Sequence, residues 1–143
     1  MIDGLNVKTT GLSEMEALFR KVRQRIAECD DKIAGEHAQE LASAIEAAAP
    51  RGETGELRVS VDAKRVVKER DRVRYRIKAG GARTRKPVKQ GQSPAYDYAR
   101  ADEFGTKDTP SSPFFWPTHR RLKPKYRRRI NAGRRKIIKG IGL

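Results

Sequence analysis

The residues that could do chemistry are few, and their spacing gives them no partners. His37 and His119 are the only histidines and Cys29 the only cysteine, so a thiolate zinc cluster lacks ligands and an internal disulfide lacks its second sulfur. A nucleophile needs a base within reach and a third group to orient that base. Neither Cys29 nor His37 has such a partner at helical spacing, and both fall on an apolar stripe, which makes them core or boundary residues. Glu103 has no nucleophile or activating histidine beside it and reads as a carboxylate tied to a backbone amide or an arginine. The sequence therefore points away from an enzyme and calls for no cofactor or metal.

What it does offer is positive charge in two places. The net charge is +15. Residues 80–94 carry Arg83, Arg85, Lys86 and Lys89 with no acid, and residues 109–143 carry eleven lysines and arginines with no acid. The rest of the chain balances 18 basic against 18 acidic residues. Charge placed this way suits a partner with a negative surface, either nucleic acid or an acidic protein face. The candidate contacts are Arg83, Arg85, Lys86, Lys89, Arg127, Arg128, Arg134 and Arg135. No helix-turn-helix, zinc finger or RNA-binding aromatic motif accompanies them, so any nucleic-acid contact would be to phosphates and indifferent to sequence.

These groups need elements to position them. With 143 residues the chain is about one domain, and no segment approaches the roughly 20 apolar residues of a membrane span. No signal-peptide core follows Met1, which predicts a protein that stays in the cytoplasm where it is made. Residues 1–11 form a polar lead. Ser13 and Glu16 fit a capping box, and Met15, Leu18, Val22, Ile26, Cys29, Ile33, His37, Leu41 and Ile45 recur at helical steps, predicting a helix over 13–49 with a bend near Asp30, Asp31 or Gly35. The alanine-rich second half should lie against a sheet.

Pro50 ends that helix, and Leu57, Val59 and Val61 then alternate with polar residues as a strand does. Strands are expected over 57–67, with a bulge at Lys64–Arg65, and over 73–79. In the second, Tyr75 and Ile77 face one way and Arg74, Arg76 and Lys78 the other. Residues 80–95 read as a long basic loop, and 96–104 as a strand or a short helix. Phe114, Phe115 and Trp116 form the densest aromatic cluster, a core anchor or a partner hot spot. A helical tail follows over 118–143, kinked or restarted at Pro124, whose cations repel one another unless an acidic surface steadies them. The fold class is α+β: a long N-terminal helix packed on a small, mainly antiparallel sheet, with a basic C-terminal helix.

Three signatures in order carry a resemblance. The first is Ala49-Pro50 followed by Thr54-Gly55-Glu56-Leu57-Arg58-Val59-Ser60, the second Tyr98-Ala99 followed by Glu103-Phe104-Gly105-Thr106, and the third residues 110–113 leading into Phe114-Phe115-Trp116-Pro117. Over roughly residues 12–140 the chain resembles the gene-ten-product family of lambdoid siphophages, tail-completion or tail-terminator proteins of the head-to-tail junction. The basic loop and the cationic tail depart from the family pattern. The resemblance implies a virion protein, built in the host cytoplasm, that forms a homo-oligomeric ring of six. Such a ring would cap the tail tube, meet the tube protein and the head-closure protein, and surround the passing phage DNA. It implies structural roles for Pro50, Thr54, Gly55, Leu57, Ser60, Tyr98, Glu103, Phe104, Gly105 and Thr106. The alternative left by the charge alone is a sequence-nonspecific nucleic-acid-binding protein.

Overall fold

The computed structural model describes residues 10–68, 72–87 and 95–141; Lys89 and most of the leading segment lie outside them. Helix α1 runs Leu12–Ala48 without a break, about 55 Å at 1.5 Å per residue. The helix continues through Asp30, Asp31 and Gly35. The capping box does not form: the helix opens on Gly11 with no side-chain cap, and the Ser13 hydroxyl donates to its neighbour Glu14 instead. Ala49 and Pro50 end the helix in extended backbone.

Residues expected to begin the first strand form a helical turn, α2, over Glu56–Val59. The Ser60 hydroxyl donates to the Leu57 carbonyl at 2.6 Å, which closes the turn and competes with extended pairing. Leu57 is buried, whereas Val59 points to solvent. Strand β1 is Asp62–Lys68 and β2 is Arg72–Lys78, paired antiparallel in unbroken register from Asp62↔Lys78 to Lys68↔Arg72.

The register explains the lost alternation without a bulge. Arg65 stands opposite Tyr75 and so shares its face. Both reach Asp31 on α1: Arg65 Nη2 donates at 2.7 Å and the Tyr75 hydroxyl at 2.9 Å. An arginine occupies an inward position because a carboxylate waits for it there. The arginine beside Asp31 holds its carboxyl below the usual range, and the absent side chain of Gly35 leaves room for the Tyr75 ring.

The stretch expected as irregular loop is partly built. A 3-10 turn at Ala82–Thr84 leads into β3, Arg85–Pro87. This strand pairs antiparallel with β4, Ala95–Asp97. Helix α3, Tyr98–Phe104, follows at once, so residues 96–104 are both of the things the sequence left open. Helix α4, Phe115–Lys139, continues past Pro124. Pro124 and Arg120 are both exposed, so the Arg120 carbonyl deprived of its donor is on the wet side, where water can serve it.

Helix α4 lies antiparallel along α1. Lys125 pairs with Glu40, Arg129 with Glu40 and Glu36, and Arg134 with Asp30. The acidic surface that the tail requires is therefore part of the same chain. Gly133 sits where an added Cβ would come 2.8 Å from Cys29 Sγ and 2.9 Å from Ile33 Cδ1, so its lack of a side chain lets the helices close. His37 is buried at this seam and stacks on Tyr126 with ring centroids 4.5 Å apart.

The core gathers at the other end of α1, where Leu41, Ile45 and Ala49 meet Leu57, Ala99 and Phe114. Ile77 from the hairpin and Leu122 from α4 pack around it. The observed architecture is α+β, with the long first helix, small antiparallel sheets and a basic last helix. Among the described residues no helix is long and apolar enough to cross a membrane.

Candidate functional site

The signature residues converge on the end of the molecule where α1 stops and α4 starts. Glu103 is the hub. One oxygen of its carboxylate accepts the Phe114 and Phe115 amides, each at 2.8 Å, and the other accepts Trp116 at 3.0 Å. The side chain is buried and no arginine or lysine pairs with it among the described residues. Helix α4 has no side-chain cap of its own. Its first-turn N–H groups would be orphaned, and a carboxylate from another helix takes them at the positive end of the helix dipole.

The chain between these elements is shaped to make that meeting possible. Gly105 has φ +77°, and an added Cβ would meet the Ser111 amide nitrogen at 3.0 Å and the Thr109 carbonyl at 3.1 Å, so only glycine fits this reversal. Thr106 and Thr109 then bond to each other, and Ser112 donates to the Asp102 carbonyl at 2.7 Å. Burial raises the Asp102 carboxyl above its ordinary range. The connector of residues 106–113 is thereby folded back, which delivers Phe114 onto Glu103.

A second hub lies beside it. Asp97 caps α3 through the Ala99 amide at 3.0 Å, accepts the hydroxyl of fully buried Thr84 at 2.6 Å, and accepts the Gly81 amide at 2.9 Å. Gly80, at φ +90°, has room for no Cβ between Asp97 and Ala99. Ser60 closes the arrangement by accepting the Gly80 amide at 2.8 Å, and Arg58 ties α2 to the end of α1 through the Ala49 carbonyl at 2.9 Å. Asp97 and Thr84 were not singled out from sequence. The signal available was the Asp97-Tyr98-Ala99 spacing, an N-cap pattern ahead of a short helix.

The signature residues thus build a rigid frame, though not every one is inside it. Pro50 is half-buried, Thr54 and Thr106 are exposed, Gly55 precedes α2, and Tyr98 carries Lys86 over its ring at 5.2 Å. Phe104 is 65% exposed, and Trp116 is 48% exposed while Phe114 is buried. The aromatic cluster is therefore split between core and surface. Between the end of β2, α3 and the start of α4 runs a groove of about 420 Å³ lined by Ile77, Ala99, Phe104, Phe115 and Trp116 among others.

The candidate cations divide in the same way. Arg134 is engaged with Asp30, Arg83 lies 3.3 Å from Glu56, and Lys86 sits over Tyr98. Arg85 is exposed on β3. Arg127, Arg128 and Arg135 are exposed on α4 and make no ion pair among the described residues. His37 lies at the α1–α4 seam against Tyr126, while His119 meets Trp116 edge-on with ring centroids 5.7 Å apart. Burial lowers the His37 pKa, Glu40 opposes that shift, and the neighbouring cations add to it. Among the described residues no group of three or more potential metal ligands is found.

A long helix, small antiparallel sheets and a closing helix joined by this frame define a small α+β module. A family model described as "Bacteriophage HK97-gp10, putative tail-component" matches residues 13–105, and the chain belongs to this family of phage tail components. The match takes in α1 through α3, including Ser60, Asp97 and Glu103, and stops before α4. Neither the curated proteins nor the solved structures that were compared gave a match.

Proposed function

We infer that this protein is a structural subunit of the phage neck, a tail-terminator or tail-completion protein that forms a ring on the tail tube and meets the head-closure protein. Membership of the tail-component family carries the reading. It is supported by a frame whose buried polar groups are spent on positioning one another, and by apolar side chains at the surface that the fold itself leaves uncovered. A ring of identical subunits needs two different surfaces that fit head to tail and close. Six subunits is the number implied by the family resemblance. The test is deletion of the gene in its phage: heads and tubes should accumulate unjoined, with tubes of uncontrolled length, and the purified protein should bind tube ends. Normal yields of joined virions from the deletion would overturn the reading.

A second reading, contact with the phosphates of DNA, is favoured by one observation. Arg120, Arg121, Arg127, Arg128, Arg135 and Lys139 are exposed on α4, while Lys125, Arg129 and Arg134 are already matched by acids of α1. With Lys123 and Lys136 also exposed and unpaired among the described residues, eight cations are left, and the logarithm of duplex affinity should fall with the logarithm of salt at a slope of about −7, against about −10 if all eleven tail cations took part. Binding unchanged by salt would exclude this contact.

A further inference from the structure

Among the described residues two apolar surfaces stand open, and they lie far apart. On the first two turns of α1, Leu12, Met15 and Phe19 are each about half exposed and Leu18 is 38% exposed. At 100° per residue these four form one stripe, with Glu14 and Glu16 flanking it on either side. The second surface is the groove holding Phe104 and Trp116. It opens next to the core around Ile45 and Phe114, roughly 40 Å along α1 from Phe19. A stripe at that distance cannot enter the groove of its own chain.

Charge favours the match between them. The two carboxylates in the groove are spent, Glu103 on the first turn of α4 and Asp97 on Thr84, Gly81 and Ala99. What remains at its rim is Lys78 and Arg100, both exposed and in no ion pair among the described residues. Over its first two turns the apolar stripe is bordered by two glutamates, with Lys21 and Arg23 entering only in the next turn, and it meets an apolar groove bordered by two cations, which favours one orientation of the contact.

We propose that the first two turns of α1 of one copy dock in the Phe104–Trp116 groove of the next, so that the junction is heterologous and each subunit uses one end as plug and the other as socket. This rests on the ring reading and specifies its subunit contact. Residues 106–113 brace the socket from behind through the Gly105 reversal, and α1 supplies a stiff arm of fixed length between plug and socket. A contact of this kind closes into a ring or propagates as a filament, depending only on the angle per step.

The experiment uses the full chain and two variants, Phe19→Asp in the plug and Phe104→Asp in the socket. Both sites are exposed, so circular dichroism should remain native. Light scattering over a concentration series should show the wild type assembling and each variant weakened at least tenfold. Mixed in equal amounts, the two variants should form a heterodimer and nothing larger, because one intact plug and one intact socket remain between them. Glu14→Lys with Glu16→Lys should also weaken assembly, and Lys78→Glu with Arg100→Glu introduced in the same chain should restore it. A wild type that stays monomeric throughout, or variants that assemble normally, would overturn the proposal. So would loss in the plug variant alone, which means plug pairs with plug. Head-to-tail chains that never close or never bind the tube would leave this junction standing and remove the ring reading. Rings unaffected by either variant would do the reverse.

Discussion

Removing the Glu103 carboxylate is the sharpest test of how the frame holds together. In Glu103→Ala three N–H groups lose their acceptor. The Phe114 amide is buried and meets the full cost of an unsatisfied donor, about 1–3 kcal/mol, while the half-buried Phe115 and Trp116 amides can recover water and lose about 1 kcal/mol each. The expected loss is about 3–5 kcal/mol. Glu103→Gln can keep its oxygen where two amides converge and turn its NH₂ toward the Trp116 amide, at the wetter side, so it should lose about 1–2 kcal/mol, the order of a helix cap. A chain of this length has roughly 7–20 kcal/mol in total. At a urea dependence of about 1.5–2 kcal/mol per molar, the alanine variant should unfold about 2 M earlier than the wild type. Urea titration followed by circular dichroism measures this. Hydrogen exchange should show faster amides at Phe114–Trp116 before any change in the β1–β2 hairpin. If both substitutions fall within about 0.5 kcal/mol of wild type, the range of a neutral surface change, then Glu103 does not anchor α4 and the frame argument fails.

His37 gives the protein a pH dependence of known sign. Its pKa is lowered in the folded state, chiefly by burial, so the unfolded chain takes up the proton more readily and stability falls as pH drops below the ordinary histidine value of about 6.5. His37→Phe keeps the stack on Tyr126 and should flatten the thermal midpoint between about pH 7 and 5. The Asp31 and Glu40 carboxyls, held low by Arg65 and Lys125, should add a separate loss only below about pH 4, in both proteins. Gly133→Val should force α4 away from Cys29 and Ile33 and cost about 1–3 kcal/mol. Gly140→Ala, where the nearest atoms stand at 3.4 Å, should change the thermal midpoint little.

Local periodicity carried the long elements. The stripe of α1 and the alternation of β2 are each written in consecutive residues, and both appear in the structure where they were read. What escaped are interactions whose partners are distant in sequence. Arg65 looked like a break in a strand because Asp31 lies 34 positions earlier. Residues 56–59 alternate as a strand would, yet Ser60 captures the Leu57 carbonyl and holds a helical turn. Glu103 was legible as a carboxylate tied to a backbone amide or an arginine, since nothing catalytic stood near it. That the amides would be those of Phe114–Trp116 required the Gly105 reversal to bring them back.

The tail shows why a charge count by segment misleads. Counted along the chain, residues 109–143 hold all their cations unmatched, and the remaining body appears neutral and indifferent to them. Folded, the body offers Asp30, Glu36 and Glu40 on one side of α1, at steps that match Arg134, Arg129 and Lys125 on the antiparallel α4. The same side carries His37 against Tyr126 and Cys29 against Gly133, so charge pairing and close packing select one alignment of the two helices. Pairing engages Lys125, Arg129 and Arg134 with α1 and leaves the remaining cations on the sides of α4 turned away from it. A tail that seemed to need a partner in order to fold instead folds on its own chain, and the charge left over is directed outward by that folding.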